Sequence, residues 1–256
     1  MRVVTVFSIV IPMKNEAGNI RRLVEEIDEA CSAQPAYEVI IVDDGSDDET
    51  GEIARSLTAG GRPVRVLTHS ESAGQSAAVH SGVQAAEGHF IVTLDGDGQN
   101  PPSEIPKLVA PFLQADRDPL IGLVAGQRVG RQDTWSKKLG SRFANGLRSR
   151  VLKDGTRDTG CGLKAFRRDA FLALPFFNHM HRYLPALFTR DGWKVGHVDV
   201  AHRSRGEGRS NYSNFQRALV GIPDLLAVAW LIKRRKTTNG AAERLSAAAS
   251  EPERDQ

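Results

Sequence analysis

The sequence predicts an α/β protein built on a doubly wound, largely parallel sheet. Through about residue 125, short apolar runs alternate with segments whose apolar residues recur at helical spacing, as in strands joined by crossover helices. The first run, residues 6–12, is apolar except for Ser8, which is typical of a strand covered on both faces. Three of the runs are followed directly by polar clusters. Because ligands of such sheets bind beyond the carboxyl ends of the strands, we expect a site at that edge.

The predicted elements alternate along the first half of the chain. The five apolar runs that predict strands are residues 6–12, 37–42, 64–67, 90–94 and 120–125. The segments with helical spacing are residues 20–30, 73–86 and 103–113. Ser46 followed three residues later by Glu49 has the spacing of a capping box, which predicts that a further helix begins there. Gly88 is expected to end the helix before it.

The second half of the chain is less regular. In residues 134–152 apolar residues recur every four positions and basic residues lie between them, which predicts an amphipathic helix. Residues 159–166 and 195–202 are expected strands, and 203–213 is a loop rich in glycine, arginine and serine. The expected divisions of the chain are an α/β domain at 1–213, an amphipathic helix able to lie on a membrane at 214–236, and a disordered tail at 237–256.

Basic residues are concentrated in two stretches, although the net charge of the chain is only +3. Residues 128–157 hold nine Arg or Lys against two Asp, and residues 233–236 are four consecutive basic residues. Such patches bind the phosphates of lipid headgroups or of nucleic acid. No recognised RNA- or DNA-binding motif accompanies them, so a membrane surface is the expected partner and nucleic acid is not.

Cysteine usage and hydropathy predict a cytoplasmic protein, peripheral on the inner face of a membrane. Cys31 and Cys161 form no metal or redox motif and no disulfide framework, which suits a reducing compartment. No separate apolar signal segment is visible before the first strand. The longest apolar run, residues 218–232, is interrupted by Pro223 and Asp224 and is shorter than the ~20 residues of a membrane span.

The segment Asp95-Gly-Asp97-Gly98-Gln99 follows the fourth predicted strand. Two carboxylates one residue apart can share a hard cation such as Mg²⁺ or Mn²⁺, with positions left open for diphosphate oxygens. A metal in that place stabilises the charge that a leaving nucleoside diphosphate gains. An ordinary Asp-Gly turn explains the same residues about as well from local sequence alone. A calcium loop does not, since Asn100 and Pro106 occupy the positions that need Gly and Glu.

A second acidic pair, Asp43-Asp44, ends the second predicted strand and precedes Gly45-Ser46. A strand end that leads into a capped helix explains the glycine and the serine but not two adjacent acids at the sheet edge. A carboxylate there can accept hydrogen bonds from a base N–H or from ribose hydroxyls. No GxGxxG segment follows the first strand, so a Rossmann dehydrogenase is not indicated.

The order of these clusters resembles the family 2 glycosyltransferases with the GT-A fold. Within them it is similar to the branch of dolichol-phosphate mannose synthases and polyprenyl-phosphate glycosyltransferases. The resemblance covers about residues 6–235 and rests on five segments: Ile-Val-Ile-Pro12-x-x-Asn15-Glu16, Asp43-Asp44-Gly45-Ser46, Asp95-x-Asp97-x-Gln99-x-Pro101-Pro102, Asp158-Thr-Gly160-Cys-Gly162-Leu-Lys164, and Arg205-Gly-Glu-Gly208-Arg209-Ser210-Asn211.

The resemblance implies metal-dependent, inverting transfer of a sugar from a UDP- or GDP-sugar donor, and it assigns roles by position. The expected donor contacts are Pro12, Asn15, Glu16, Asp43, Asp44, Asp95 and Gly96. The expected ligands of Mg²⁺ or Mn²⁺ are Asp95, Asp97 and Gln99, and the expected catalytic residues are Asp95, Asp97 and Asp158. The expected contacts to acceptor or donor phosphates are Arg128, Arg142, Arg205, Arg209 and Ser210.

Three segments depart from the pattern of the family. Asp-Gly-Asp-Gly replaces the commoner Asp-Ala-Asp-Leu without removing a ligand. Glu71-Ser72 stands where many relatives have Arg-Asn, and Asn211 replaces the usual Lys after Ser210. The last two departures bear on donor identity more than on the reaction.

The expected acceptor follows from a charge imbalance. A hydroxyl acceptor needs a general base, whereas a phosphate monoester is already ionised at pH 7 and needs cationic groups to hold it. The sequence offers several arginines near the predicted site and one obvious spare carboxylate, Asp158. A polyprenyl phosphate is therefore the expected acceptor. Transfer to a hydroxyl of a saccharide, lipid or protein is one alternative, and a non-catalytic nucleotide-sugar sensor is another.

Overall fold

The structure is a computed structural model that describes residues 4–59, 61–129, 151–152, 154–203 and 214–235, with the backbone alone for 214–220. Most of the helix predicted at 134–152, most of the loop at 203–213 and the tail at 237–256 lie outside the described residues. The same is true of four predicted phosphate contacts: Arg142, Arg205, Arg209 and Ser210.

Seven strands form one mixed sheet within the described ranges. They are β1 (Phe7–Met13), β2 (Tyr37–Asp43), β3 (Val64–Thr68), β4 (Phe90–Thr93), β5 (Ile121–Arg128), β6 (Lys164–Arg167) and β7 (Lys194–Val200). Their order in the sheet is β3-β2-β1-β4-β6-β5-β7. All pairs are parallel except those of β6, which runs antiparallel to both β4 and β5. The predicted α/β class with a largely parallel sheet is confirmed.

Helices cover both faces of this sheet. They are α1 (Ile20–Cys31), α2 (Thr50–Thr58), α3 (Gln75–Ala85), α4 (Ile105–Leu113), α5 (Arg168–Leu172), α6 (Leu184–Arg190) and α7 (Asn214–Lys233). Short 3₁₀ turns at Pro102–Glu104 and Met180–Arg182 precede α4 and α6. Helices α5 and α6 are not predicted from the sequence, because five and seven residues are too few to show a helical period.

The core consists of two apolar clusters on opposite faces of the sheet. Ile9 and Ile11 of β1 pack in the cluster that contains the buried faces of α1, α2 and α4. Val10, between them, packs in the cluster that contains α3, α5, α6 and Val228 of α7. Successive side chains of a strand point to opposite faces, so β1 has to be apolar at every position that reaches either cluster.

Two local predictions differ from the structure. The predicted capping box is wrong, since α2 begins at Thr50 after an N-cap residue, Glu49, whose side chain makes no capping bond. The Ser46 hydroxyl instead accepts a hydrogen bond from the backbone N–H of Asn15, at 3.0 Å. The strand expected at 159–166 is shorter and later, at Lys164–Arg167, and the residues before it form a loop.

A buried carboxylate, Glu38, joins three elements at the end of the sheet opposite the predicted site. Its Oε1 accepts from the Ser8 hydroxyl at 2.7 Å and from the Glu87 N–H at 2.6 Å, and its Oε2 accepts from Arg65 Nη1 at 2.8 Å. Burial alone would raise the pKa of Glu38. The three hydrogen bonds outweigh it and hold that pKa below its ordinary value.

Replacing this carboxylate should destabilise the fold in a pH-dependent way. Glu38→Gln is expected to lower the free energy of unfolding by about 1–3 kcal/mol at pH 7, since hydrogen bonds to a charged group are lost. The folded-state pKa lies below the unfolded one, so the stabilisation is present above the unfolded pKa and disappears as the pH falls through the folded value. Urea unfolding at pH 7 and at pH 3.5 measures the difference.

Glu87→Gln is the matched control, because the Glu87 carboxylate lies 3.8 Å from the same Arg65 but its side chain is 49% exposed. It should change the free energy of unfolding by less than about 0.5 kcal/mol. Equal destabilisation by Glu38→Gln at both pH values would show that the charge of Glu38 is not the cause.

Candidate active site

The carboxyl ends of β1, β2 and β4 meet at one edge of the sheet. Met13 at the end of β1 is in register with Asp43 at the end of β2, and the Asp44 N–H donates to the Met13 carbonyl at 2.8 Å. On the other side the Leu94 N–H, just past β4, donates to the Val10 carbonyl at 3.2 Å. The three polar clusters that follow these strands therefore lie together, as the order of motifs predicts.

The loop after β1 is tied to the loop after β2. Asn15 has a left-handed backbone, with φ of 58°; its amide Oδ1 accepts from the Asp47 N–H at 3.1 Å. The Glu16 N–H donates to the Thr50 hydroxyl at 2.8 Å. Together with the bond from Asn15 to Ser46, these contacts hold Asn15 and Glu16 in one fixed loop at the edge, just after Pro12 in β1.

Asp44 is buried and its carboxylate accepts four hydrogen bonds. Oδ1 faces His69 Nδ1 at 2.8 Å and the Ala73 N–H at 2.9 Å, while Oδ2 accepts from the Ser72 hydroxyl and the Gly74 N–H, both at 2.8 Å. Burial raises the pKa of Asp44, but these hydrogen bonds outweigh it and the net pKa is lowered. The ionised Asp44 thus organises the turn that leads into α3.

Asp43 is also buried, and it faces the adjoining helix. Its Oδ1 accepts from the Ser46 N–H at 3.0 Å. A β-carbon built at Gly51, in the first turn of α2, would lie 2.5 Å from its Oδ2. Asp43 therefore holds the loop that carries Ser46 close to the start of α2.

Asp95 lies just past β4 and is held from two sides. Its Oδ1 accepts from Gln75 Nε2 at 2.8 Å, and its Oδ2 accepts from Asn100 Nδ2 at 3.2 Å. Gly162 packs against the same carboxylate so closely that a side chain there would overlap it. Burial and the charge of Asp97 raise the pKa of Asp95, although Lys164 and other neighbours oppose the shift.

The segment from Asp95 to Gln99 forms a turn, and this turn carries two carboxylates. Gly98 has a φ of +70°, as an Asp-Gly turn requires, and Asp97 Oδ1 accepts from the Gln99 N–H at 3.1 Å. A β-carbon at Gly96 would lie 2.8 Å from Met13 Cγ, so glycine lets this turn approach β1. The two interpretations of the sequence are therefore compatible, since the turn is what presents the acids.

The oxygen atoms at this turn fit a hard divalent cation. Asp95 and Asp97 supply carboxylates, and Gln99, two residues after Asp97, is partly buried. The Asn100 Oδ1 is buried with no hydrogen-bond partner. In the ranges that the structure covers, no three His, Cys, Asp or Glu side chains converge as a metal cage. Mg²⁺ commonly takes one or two carboxylates and completes its shell with phosphate and water oxygens, so this sparse set suits it.

Arg128 and Asp158 form a two-point ion pair at the end of β5. Arg128 Nε lies 2.6 Å from Asp158 Oδ2, and Arg128 Nη2 lies 2.9 Å from Asp158 Oδ1. The side chains are 13% and 17% exposed. Gln127, the neighbour of Arg128, accepts from the N–H groups of Arg157 and Asp158 through its Oε1, at 3.0 and 2.9 Å. The loop that carries Asp158 is thus fixed to β5.

Four residues around these acids were not assigned a role from the sequence: Gln75, Asn100, Gln127 and Lys164. Lys164 is buried at the start of β6, where its Nζ donates to the Cys161 carbonyl, and burial lowers its pKa. Its charge acts on both Asp95 and Asp158. Lys164 belongs to one of the five segments that carry the resemblance, whereas single amides have no spacing that marks them, so only the tertiary arrangement reveals what these residues contact.

Comparison with known proteins places these features in a family. The profile described as Glycosyl transferase family 2 matches residues 8–174. An undecaprenyl-phosphate 4-deoxy-4-formamido-L-arabinose transferase of Edwardsiella ictaluri is 34% identical over 80% of this chain and 62% of its own length. A dodecaprenyl-phosphate galacturonate synthase of Rhizobium johnstonii is 33% identical over 88% of this chain and 67% of its own. The chain thus spans roughly two thirds or less of the length of these curated relatives.

Solved structures of glucosyl-3-phosphoglycerate synthase from Mycobacterium tuberculosis share the fold. The structure described with Mn²⁺ and UDP-glucose superposes with a TM-score of 0.67 at 23% identity, over 88% of this chain and 79% of that one. The predicted GT-A fold is confirmed by this likeness.

Proposed function

The chain belongs to glycosyl transferase family 2, and we propose that it transfers a sugar from a nucleotide-sugar donor to a polyprenyl phosphate. The observation that carries the proposal is the pair of carboxylates, Asp95 and Asp97, at the sheet edge where three polar loops meet. The relatives named for undecaprenyl- and dodecaprenyl-phosphate products support the acceptor class. The neighbour described with Mn²⁺ and UDP-glucose supports a metal-bound nucleotide sugar.

In this proposal Asp95 and Asp97, with Gln99, hold Mg²⁺ or Mn²⁺. The ion supplies charge that stabilises the departing nucleoside diphosphate. The fixed loop at Asn15 and the turn organised by Asp44 lie at the same edge, where they line the space for a base and ribose. The Asp44 carboxylate accepts four hydrogen bonds within the chain, about as many as a carboxylate can accept, so its role is to fix the turn on this side of the site. The uridine nucleotides bound by the neighbour make UDP-sugars the first donors to test.

The ion pair at Asp158 favours a phosphate acceptor over a hydroxyl. A general base needs an oxygen directed at the proton that it removes. Both oxygens of Asp158 accept hydrogen bonds from Arg128, and Oδ1 accepts another from the Gly160 N–H at 3.1 Å. An ionised phosphate needs no such base and binds to the planar fork of an arginine. We therefore assign Asp158 to positioning Arg128, which holds the acceptor phosphate.

A polyprenyl acceptor lies in a bilayer, and helix α7 has an apolar surface that can contact the bilayer. Three large apolar side chains, Ile222, Leu226 and Trp230, are 60%, 65% and 59% exposed at four-residue spacing; we call them the exposed stripe. The opposite face is docked on the fold, where Val228 is buried and Arg190 Nε donates to the Leu231 carbonyl at 3.0 Å.

The exposed stripe is followed by Lys233, Arg234 and Arg235, all exposed. No helix of the described residues has both the length and the apolar content needed to cross a membrane. Amphipathic helices with basic ends lie in the interface of anionic bilayers, and each basic side chain near that surface contributes about 1 kcal/mol. We propose that the exposed stripe rests on the cytoplasmic face of the membrane.

The metal proposal predicts that Asp97→Asn lowers transfer at least a hundred-fold while the melting temperature stays close to that of the wild type. The change removes a charge and little volume, so the ion is lost and the turn is kept. EDTA should inactivate the wild type, and Mn²⁺ or Mg²⁺ should restore it. Asp116→Asn, on an exposed residue after α4, is the control. Full turnover of Asp97→Asn, or in EDTA, would refute the metal role.

The acceptor proposal predicts that Asp158→Asn keeps kcat for polyprenyl phosphate within about ten-fold of the wild type. Removal of a general base costs about 10²–10⁴-fold instead. Arg128→Lys, which loses the planar fork, should raise the acceptor KM more than it lowers kcat. Steady-state kinetics with varied acceptor separates the two constants. A collapse of kcat in Asp158→Asn with an unchanged KM would identify Asp158 as the base.

The membrane proposal predicts that the protein floats with anionic vesicles of phosphatidylglycerol at low salt. Replacing Ile222, Leu226 and Trp230 together by serine should abolish flotation, because the apolar contact with the bilayer is removed. Phe176→Ser is the matched control, since Phe176 is an exposed apolar residue outside α7. Absence of flotation by the wild type, or equal flotation by the triple variant, would exclude the exposed stripe as the membrane contact.

A further inference from the structure

A segment of four residues connects the two acids of the site. Asp44 accepts hydrogen bonds from Ser72, Ala73 and Gly74. The next residue, Gln75, is the first of α3, and its Nε2 donates to Asp95 Oδ1 at 2.8 Å. Gly74 has a φ of +89°, a backbone conformation that other residues rarely adopt. The turn that Asp44 fixes therefore also fixes the point from which Gln75 reaches Asp95.

Asp95 is fixed by contacts from several elements. Gln75 and Asn100 donate to its two oxygens, at 2.8 and 3.2 Å, and the carboxylate fills the space that a side chain at Gly162 would take. An amide donor orients a carboxylate without adding a positive charge that would compete with a cation.

We propose that Gln75 is a positioning residue that holds Asp95 in the orientation needed by the divalent cation. The inference rests on the proposed function, since it takes Asp95 to be a ligand of that cation. Residues that orient metal ligands from the outer shell change metal affinity by about 10–100-fold when they are replaced. Through the 72–75 segment, Gln75 also ties the cation side of the site to the edge where Asp44 lies.

The test replaces Gln75 by leucine, which keeps the side-chain size and removes the donor. Gln84→Leu is the matched control, because Gln84 is an exposed glutamine further along the same helix. The probe is Mn²⁺, titrated in the presence of UDP and, separately, of GDP, with free Mn²⁺ measured by electron paramagnetic resonance. Gln75→Leu should weaken Mn²⁺ binding about ten-fold, and Gln84→Leu should leave it within two-fold of the wild type. Thermal melting of all three proteins should coincide within a few degrees.

The outcomes separate this inference from the proposed function. If the wild type binds Mn²⁺ with a nucleotide and Gln75→Leu binds it within two-fold, the positioning role is overturned and the metal site stands. An equal loss of affinity in Gln84→Leu would overturn it as well, since the effect would belong to the helix. If the wild type binds no Mn²⁺ with either nucleotide, the metal site itself is wrong and the inference fails with it.

Discussion

The parallel pairing of β1 with β2 on one side and with β4 on the other is the contact on which the site depends. Because β2 and β4 both run parallel to β1, the loops after all three strands leave the same edge of the sheet. The close approach of Gly96 to Met13 and the bond from Asp44 to the Met13 carbonyl follow from that pairing. The proposed cation site and the proposed nucleotide site are therefore neighbours, although the residues that form them are far apart in the sequence.

Much of this arrangement could be predicted because it is local in the sequence. Residues 6–12 are apolar at every position except Ser8, as a strand covered on both faces requires. The acidic pairs Asp43-Asp44 and Asp95-x-Asp97 directly follow predicted strands, so their place at the sheet edge can be predicted from the sequence. The capping box failed because Ser46 has a partner 31 residues away, Asn15, and a spacing rule takes no account of such a partner.

The remaining parts of the site depend on the antiparallel insertion of β6 between β4 and β5. That insertion brings Gly162 against Asp95 and buries Lys164 near both Asp95 and Asp158. The partnership of Asp158 with Arg128 arises in the same way, across 30 residues of chain. In the sequence Asp158 is a spare carboxylate, whereas in the structure it is engaged by Arg128, which favours the phosphate acceptor already expected from the charge imbalance.

The central claim is that this edge of the sheet joins a sugar to a lipid phosphate. The most direct test incubates the protein with UDP- or GDP-sugars and Mn²⁺ or Mg²⁺. Undecaprenyl phosphate is the acceptor in one reaction and the neutral alcohol undecaprenol in a parallel one. The masses of the lipid products are then measured by mass spectrometry. A glycosylated product is expected with the phosphate and none with the alcohol, because Arg128 supplies positive charge for a phosphate whereas both oxygens of Asp158 are engaged. Efficient glycosylation of the alcohol, with the phosphate left unchanged, would contradict a phosphate acceptor.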